Sequence, residues 1–524
     1  MDQRLPTTTI PDLSDSAYET GTESEHSSSN DESPCPSPSS TSKSQQPQHH
    51  QAEDDDEPLP QLAKAKGHYW ITTTGSKILD ACGGAGVACI GHGRKEVIKA
   101  ITNQMTSCSY PSYAHFKLDP VERLSEWFVE STGERMKKVY LMCSGMLFKQ
   151  PSNSLEFHSW TGSTKRTNFI TRTPSYHGTT IASLSASSHY SQRAPFLSSN
   201  ILLPGHFHPI PACSPYRDQH PSEALPTYVA CKLSELESMF LRLGPETVAA
   251  VTMEPIVGAA LGCVPPPSGY MRGVKKLCER YGALLVFDEV MCGMGRCGSL
   301  HAWQSIERWS INENNGKEEG GAEEVVPDLQ TIGKGFTGGY TPGSALLIGS
   351  KIAEVMEKGK KVFTHGHTYQ NNLVVAAATL AVQKGVGEKE GLVDKVRENG
   401  AVLERLLRNR LSGHPHVGDI RCRGLFWGIE FVKDRKTKEP FDVDLNVAQM
   451  VHKTAMKEFG VLVYNGQGCA GEGRGDHVMV MPAYEISVDE LELMVDGLGK
   501  AVEYVFEKLG ANRGESRKRT ARRH

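Results

Sequence analysis

Apolar residues in this chain fall into short, unbroken runs separated by segments with helical spacing. Residues 139–142, 168–170, Val248–Met253, 283–287 and 346–348 are such runs, each of strand length. Between them, 121–131 and 269–281 place apolar residues three or four apart, which predicts amphipathic helices. Strands that are apolar throughout and alternate with helices predict a largely parallel sheet covered on both faces. Upstream, Tyr69-Trp70-Ile71 and Ile78-Leu79-Asp80 flank Gly75-Ser76 and read as a hairpin. Downstream, a helical stretch from 376 to about 411, strands at 424–431 and 461–463 and a terminal helix at 488–508 predict a smaller α+β unit.

The expected organisation is an acidic, disordered tail over 1–60, an N-terminal part of the small domain over 61–119, a large domain over 120–375, the rest of the small domain over 376–508 and a basic tail over 509–524. The tail over 1–60 is rich in Ser, Pro and acidic residues and cannot offset its ordering entropy. An insertion is expected at 306–325, where the sequence becomes polar and glycine-rich. The 524 residues are 38% hydrophobic, enough for a large core, and carry a net charge of -4 that does not suggest a nucleic-acid surface. No apolar run is long enough to span a membrane, and the N-terminus lacks the apolar stretch of a secretory signal. The 13 cysteines show no CxxC pair and no metal-ligand spacing, so reduced thiols, no bound metal and a cytoplasmic location are expected.

Four segments carry candidate chemistry. Asp288 ends the run 283–287 and would stand at the carboxyl end of a strand, where ligands of such sheets bind. Lys334 lies between Gly333 and Gly335, which permit close backbone approach around a buried amine. Ser175-Tyr176-His177-Gly178 offers an aromatic ring to a flat ligand. Gly366-His367-Thr368-Tyr369 precedes a helix and could present a hydroxyl to a phosphate. Each is commonplace alone: a strand-end acid caps loops, and a threonine before a helix is an ordinary N-cap.

Together, in this order, they resemble the class III aminotransferases, pyridoxal phosphate enzymes of fold type I. The resemblance covers about 67–499 and includes Glu254-Pro255-Ile256-Val257-Gly258, Gly293-Met294-Gly295-Arg296, the Lys334 segment and Arg423-Gly424-Leu425-Phe426-Trp427-Gly428. It implies that Lys334 forms the Schiff base with the cofactor and shuttles the proton. Asp288 would pair with the pyridinium, Tyr176 would stack on the ring beside His177, and Glu254 would lie near cofactor and substrate. Ser144 and Gly145 would bind the phosphate, with Thr368 reaching it from the neighbouring subunit of a homodimer with shared active sites. Arg423 would clamp the substrate carboxylate, and Tyr113 and Phe116 would shape the pocket. Met291 stands where some branches carry a glutamine, and together with Arg474-Gly475-Asp476-His477 this favours the omega-amino acid:pyruvate-like branch. The implied reaction is ping-pong transfer of an amino group from a small-molecule donor to a 2-oxo acid, pyruvate or 2-oxoglutarate. Other chemistry on the same cofactor, such as aminomutase or decarboxylating reactions, and a non-catalytic homologue remain alternatives.

One stretch departs from the pattern. After Ser144-Gly145 the family continues into an amphipathic helix, whereas 146–160 shows no helical periodicity and contains Pro151, which is expected to interrupt a helix. Codons for 146–156, read from the third nucleotide of each triplet, can spell the missing helix. The stretch therefore reads as a frameshifted translation, from a mispredicted exon edge or an alternative splice, with a genuinely diverged loop as the alternative; weakened phosphate binding is expected as its consequence.

Overall fold

The computed structural model describes residues 58–143, 149–309, 324–364 and 366–521. Seven strands build the central sheet, in the spatial order Met136–Met142, Ser344–Gly349, Leu329–Ile332, Leu284–Asp288, Val248–Met253, Asn168–Thr173, Phe207–Pro211. Ser344–Gly349 is antiparallel to both neighbours, and the other strands run one way. The four central strands have every residue buried, which explains why Val248–Met253, Leu284–Asp288 and Ser344–Gly349 are mostly apolar without alternation, while Leu329–Ile332 buries the polar Gln330 and Thr331. The helix Tyr270–Tyr281 buries Tyr270, Met271, Val274, Leu277 and Cys278 at helical spacing, and left-handed Gly282 closes it onto the Cys278 and Glu279 carbonyls.

Two smaller sheets stand beside this one. In the first, the hairpin Tyr69–Thr72 and Lys77–Asp80 is joined by Leu62–Lys66 and, in parallel, by Val461–Leu462, with Leu79 opposite Val461. In the second, Val417–Arg423, Phe426–Phe431, Asp476–Val480 and Tyr464–Gln467 are antiparallel.

Several expectations need correction. Residues Lys149–Trp160 do form a helix, and it rests against the strand Val248–Met253. Pro151 is the third residue of that helix, where the missing N–H would have had no intrahelical acceptor. The helical stretch after 376 is two helices, Leu373–Lys384 and Leu392–Leu411, separated by a wide π turn at Gly385–Lys389. The terminal helix runs beyond 508 to Ala521. Ile306 and Val325, at the ends of the expected insertion, are buried in the core, and residues 310–323 between them lie outside the described residues.

Candidate active site

The strands that run one way deliver their carboxyl ends to one edge of the sheet, and five of the candidate residues gather there. Asp288 closes the strand Leu284–Asp288, and Glu254 follows Val248–Met253. Tyr176 and His177 follow Asn168–Thr173, and Lys334 follows Leu329–Ile332. His177 Nδ1 donates to Asp288 Oδ2 at 2.9 Å, with both residues buried. The Val290 amide donates to Asp288 Oδ1 at 3.1 Å, so the carboxylate is held from two sides. Glu254 Oε1 accepts the Tyr176 amide at 3.1 Å and its Oε2 accepts the Gly258 amide at 3.0 Å. Arg172 donates to the Glu254 carbonyl. A side chain on Gly258 would meet the Met291 sulfur at 2.5 Å, so glycine there lets Met291 close against the Glu254 turn.

Lys334 adopts φ +50°, a left-handed conformation that costs a side-chain-bearing residue about 1 kcal/mol or more. The turn Lys334–Phe336 holds it there, with Cys89 donating to the Gly335 carbonyl and Gln383 donating to the Gly335 and Phe336 carbonyls. Burial pushes the Lys334 ammonium below its usual range, against the opposing pull of Asp288 and Glu254. A larger share of neutral amine makes Lys334 a better nucleophile. Burial raises the Glu254 carboxyl; Asp288 adds to this and His177 opposes it. Burial likewise raises the Tyr176 phenol, with Asp288 and Glu254 contributing. A primary amine, a fixed carboxylate and an aromatic ring at one strand edge form a donor set suited to a pyridine aldehyde.

The remaining expected residues are not seen in this cluster. Ser144 and Gly145 lie outside the described residues. Thr368, Tyr113 and Phe116 lie on a separate exposed patch, where the Tyr110 hydroxyl donates to the Thr368 carbonyl at 3.0 Å and the Tyr113 hydroxyl lies beside Gly366. Arg423 is not brought to the cluster. Residues two apart in a strand would share a face, but Cys422 takes φ +106° and breaks the alternation. Arg423 is instead left among the charges of Glu404 and Arg397, on the helix Leu392–Leu411, and burial lowers its pKa. Arg421 faces the other way: it donates to the Leu261 and Gly262 carbonyls, next to the Glu254 turn, and is paired with Asp419 and Glu430.

Sequence reasoning missed Arg296 and Tyr464. Arg296 contributes to the field at Lys334 and donates to the carbonyls of Leu425, Pro482 and Gly86. The Gly293-Met294-Gly295-Arg296 motif was the available signal. Tyr464 packs against a cluster containing Cys82, Met291 and Met481, and no local motif pointed to it.

Comparison with known proteins accounts for this arrangement. Residues 50–502 match the family model described as Aminotransferase class-III. A Gibberella zeae protein named Aminotransferase is 40% identical over 450 residues, covering 85% of this chain and 84% of its own. An amine transaminase from an uncultivated Pseudomonas species, solved in its PLP-bound internal aldimine form, superposes with a TM-score of 0.78 at 26% identity, over 89% of this chain and 99% of that one. An (S)-enantioselective omega-transaminase from Thermomicrobium roseum gives 0.74 at 27%, over 86% and 93%. The chain belongs to the class III aminotransferases, enzymes of transamination. Among the described residues, no helix is long and apolar enough to cross a membrane.

Proposed function

We propose that this chain is a pyridoxal phosphate-dependent transaminase that moves an amino group from an amino acid or omega-amino donor to a 2-oxo acid. The observation that carries the reading is the convergence of Lys334 with Asp288, itself fixed by His177, at the carboxyl edge of the sheet. When bound, pyridoxal phosphate supplies the electron sink that amino transfer needs. Of the chain's own residues, Lys334 would hold the cofactor aldehyde and, once the donor's amine has displaced it, its free amine would take and return the proton at the substrate carbon. Asp288, which His177 keeps in place, would pair with the pyridine nitrogen and keep it protonated. Tyr176 would cover the ring, and the Glu254 turn sets the position of Tyr176 through its amide.

Homodimerisation belongs to the same reading. Tyr110, Tyr113, Phe116, Val362 and Tyr369 are large side chains left exposed, and Tyr110 and Tyr369 meet edge to face at 5.9 Å. A second copy of the chain would cover them and carry Thr368 towards the phosphate.

The test is spectroscopic. Purified protein given pyridoxal phosphate should show the visible band of a lysine-bound cofactor, and borohydride should fix the cofactor on the peptide containing Lys334. Lys334→Ala should abolish both signals. A band that survives in Lys334→Ala, or reduction that labels another lysine, would overturn the assignment.

A further inference from the structure

The five clustered residues form one side of the site, and the antiparallel sheet supplies the opposite wall. The Ala81 amide donates to the Leu462 carbonyl at 3.0 Å and the Met481 amide donates to the Ala81 carbonyl at 2.7 Å. These bonds draw the strand Tyr464–Gln467 and the residues just after Asp476–Val480 up to the glycine turn Gly83–Gly86. That turn touches the turn carrying Lys334, and Cys89 just beyond it donates to the Gly335 carbonyl at 3.5 Å. Tyr464, opposite Met479 in register, packs with Cys82, Met291 and Met481. Beyond the end of its strand, Cys469 joins Val257, Ala260 and Leu261 in the cluster against which Tyr176 packs. Burial raises the Tyr464 phenol, with Tyr176 and Cys82 adding to it.

The composition of this wall is informative. It offers sulfur, aliphatic and aromatic surface, together with a turn whose glycines project nothing inward. At Gly84 a side chain would meet no atom within 4 Å. The Tyr464 hydroxyl has no hydrogen-bond partner among the described residues. Three of the cations near the wall are committed or turned away. Arg296 is spent on three carbonyls, Arg421 on two carboxylates and two carbonyls, and Arg423 lies beside Glu404. A carboxylate placed against this wall would lose its water and gain no counter-charge. A neutral body would gain apolar contact, and a neutral acceptor on it would gain the phenol.

We infer that Tyr464 is a specificity-determining residue, and that the wall it forms with Cys82, Met291 and Met481 selects amino donors whose body beyond the amino-bearing carbon is uncharged and largely apolar, with a carbonyl, ether or hydroxyl oxygen to meet the Tyr464 hydroxyl. The inference rests on the transaminase reading above and names the donor class for the same site.

The experiment compares donors on the cofactor-loaded enzyme by single-turnover loss of the visible band. The donors are a neutral aryl-alkyl amine, the same amine bearing an ether oxygen, and one bearing a carboxylate at that position. The two neutral donors should react with at least ten-fold higher efficiency than the acidic one. Tyr464→Phe should raise the apparent dissociation constant of the ether-bearing donor about three- to ten-fold, the worth of one neutral hydrogen bond, and shift that of the plain amine by a clearly smaller factor. Tyr464→Arg should invert the order in favour of the acidic donor. Calorimetric binding of the matching neutral and acidic alcohols, which cannot react, gives a readout free of turnover and should show the same order. A preference for the acidic donor, or Tyr464→Phe affecting all donors equally, overturns the inference while leaving the transaminase reading standing. A band that no amine consumes overturns the transaminase reading, and the inference with it.

Discussion

Arg421 and Arg423 are two positions apart in one strand, yet their environments are opposite. Arg421 shares the almost fully buried Glu430 with Arg217 and pins the Leu261–Gly262 backbone. Arg421→Ala leaves part of that buried charge unmet, so a loss of about 3 kcal/mol is expected by urea denaturation. Arg423→Ala should leave the apparent KM for the 2-oxo acid within two-fold. A large rise in that KM would restore Arg423 as the carboxylate clamp. The two arginines could not be told apart in the sequence, because what separates them is the single backbone angle at Cys422. Lys334 and Asp288 were legible because their neighbours are local: an apolar run that ends in an acid, and a lysine between glycines. Tyr464 was not, because its place depends on backbone bonds to Ala81, far away along the chain.

Among the elements, the helix Lys149–Trp160 is the least well matched to its place. It buries Asn153, Ser154 and His158 beside Phe157, and Asn153 Oδ1 is buried without a hydrogen-bond partner among the described residues. An unmet buried acceptor costs about 1–3 kcal/mol. Asn153→Leu should therefore raise stability by about 1 kcal/mol or more, read as a higher midpoint in chemical denaturation, and a lower midpoint would show that the site needs the polar group. Buried polar groups on the inner face of a helix are what a reading-frame shift would leave behind, and they account for the missing apolar periodicity. The strands of the sheet were legible for the opposite reason, since burial on both faces leaves their composition little freedom.

For the whole molecule, acid sensitivity follows from groups on or against the central sheet and the antiparallel sheet that contains Asp476–Val480. Burial pushes His158 down to about 4 and His301 and His477 down to about 3, and pushes Glu289 up to about 7. Between roughly pH 4.5 and 6.5 the unfolded chain binds protons on three histidines that the folded chain leaves neutral, whereas the folded chain keeps one on Glu289 that the unfolded chain releases. Three against one, stability should fall as pH drops through this window. Denaturation midpoints at about pH 6.5 and 5 measure it, and His477→Gln should flatten the slope. Assembly is tested by Phe116→Glu: sedimentation should shift from dimer to monomer, with weaker retention of the cofactor. The parallel pairing of Leu79 with Val461 also has a consequence during synthesis. The edge of Lys77–Asp80 leaves the ribosome long before its partner exists. At about 5–20 residues per second it waits roughly 20–80 seconds with open backbone groups. The nascent chain thus carries an unfinished sheet edge through most of its translation, a binding surface for chaperones and, when translation stops short of Val461, a seed for aggregation.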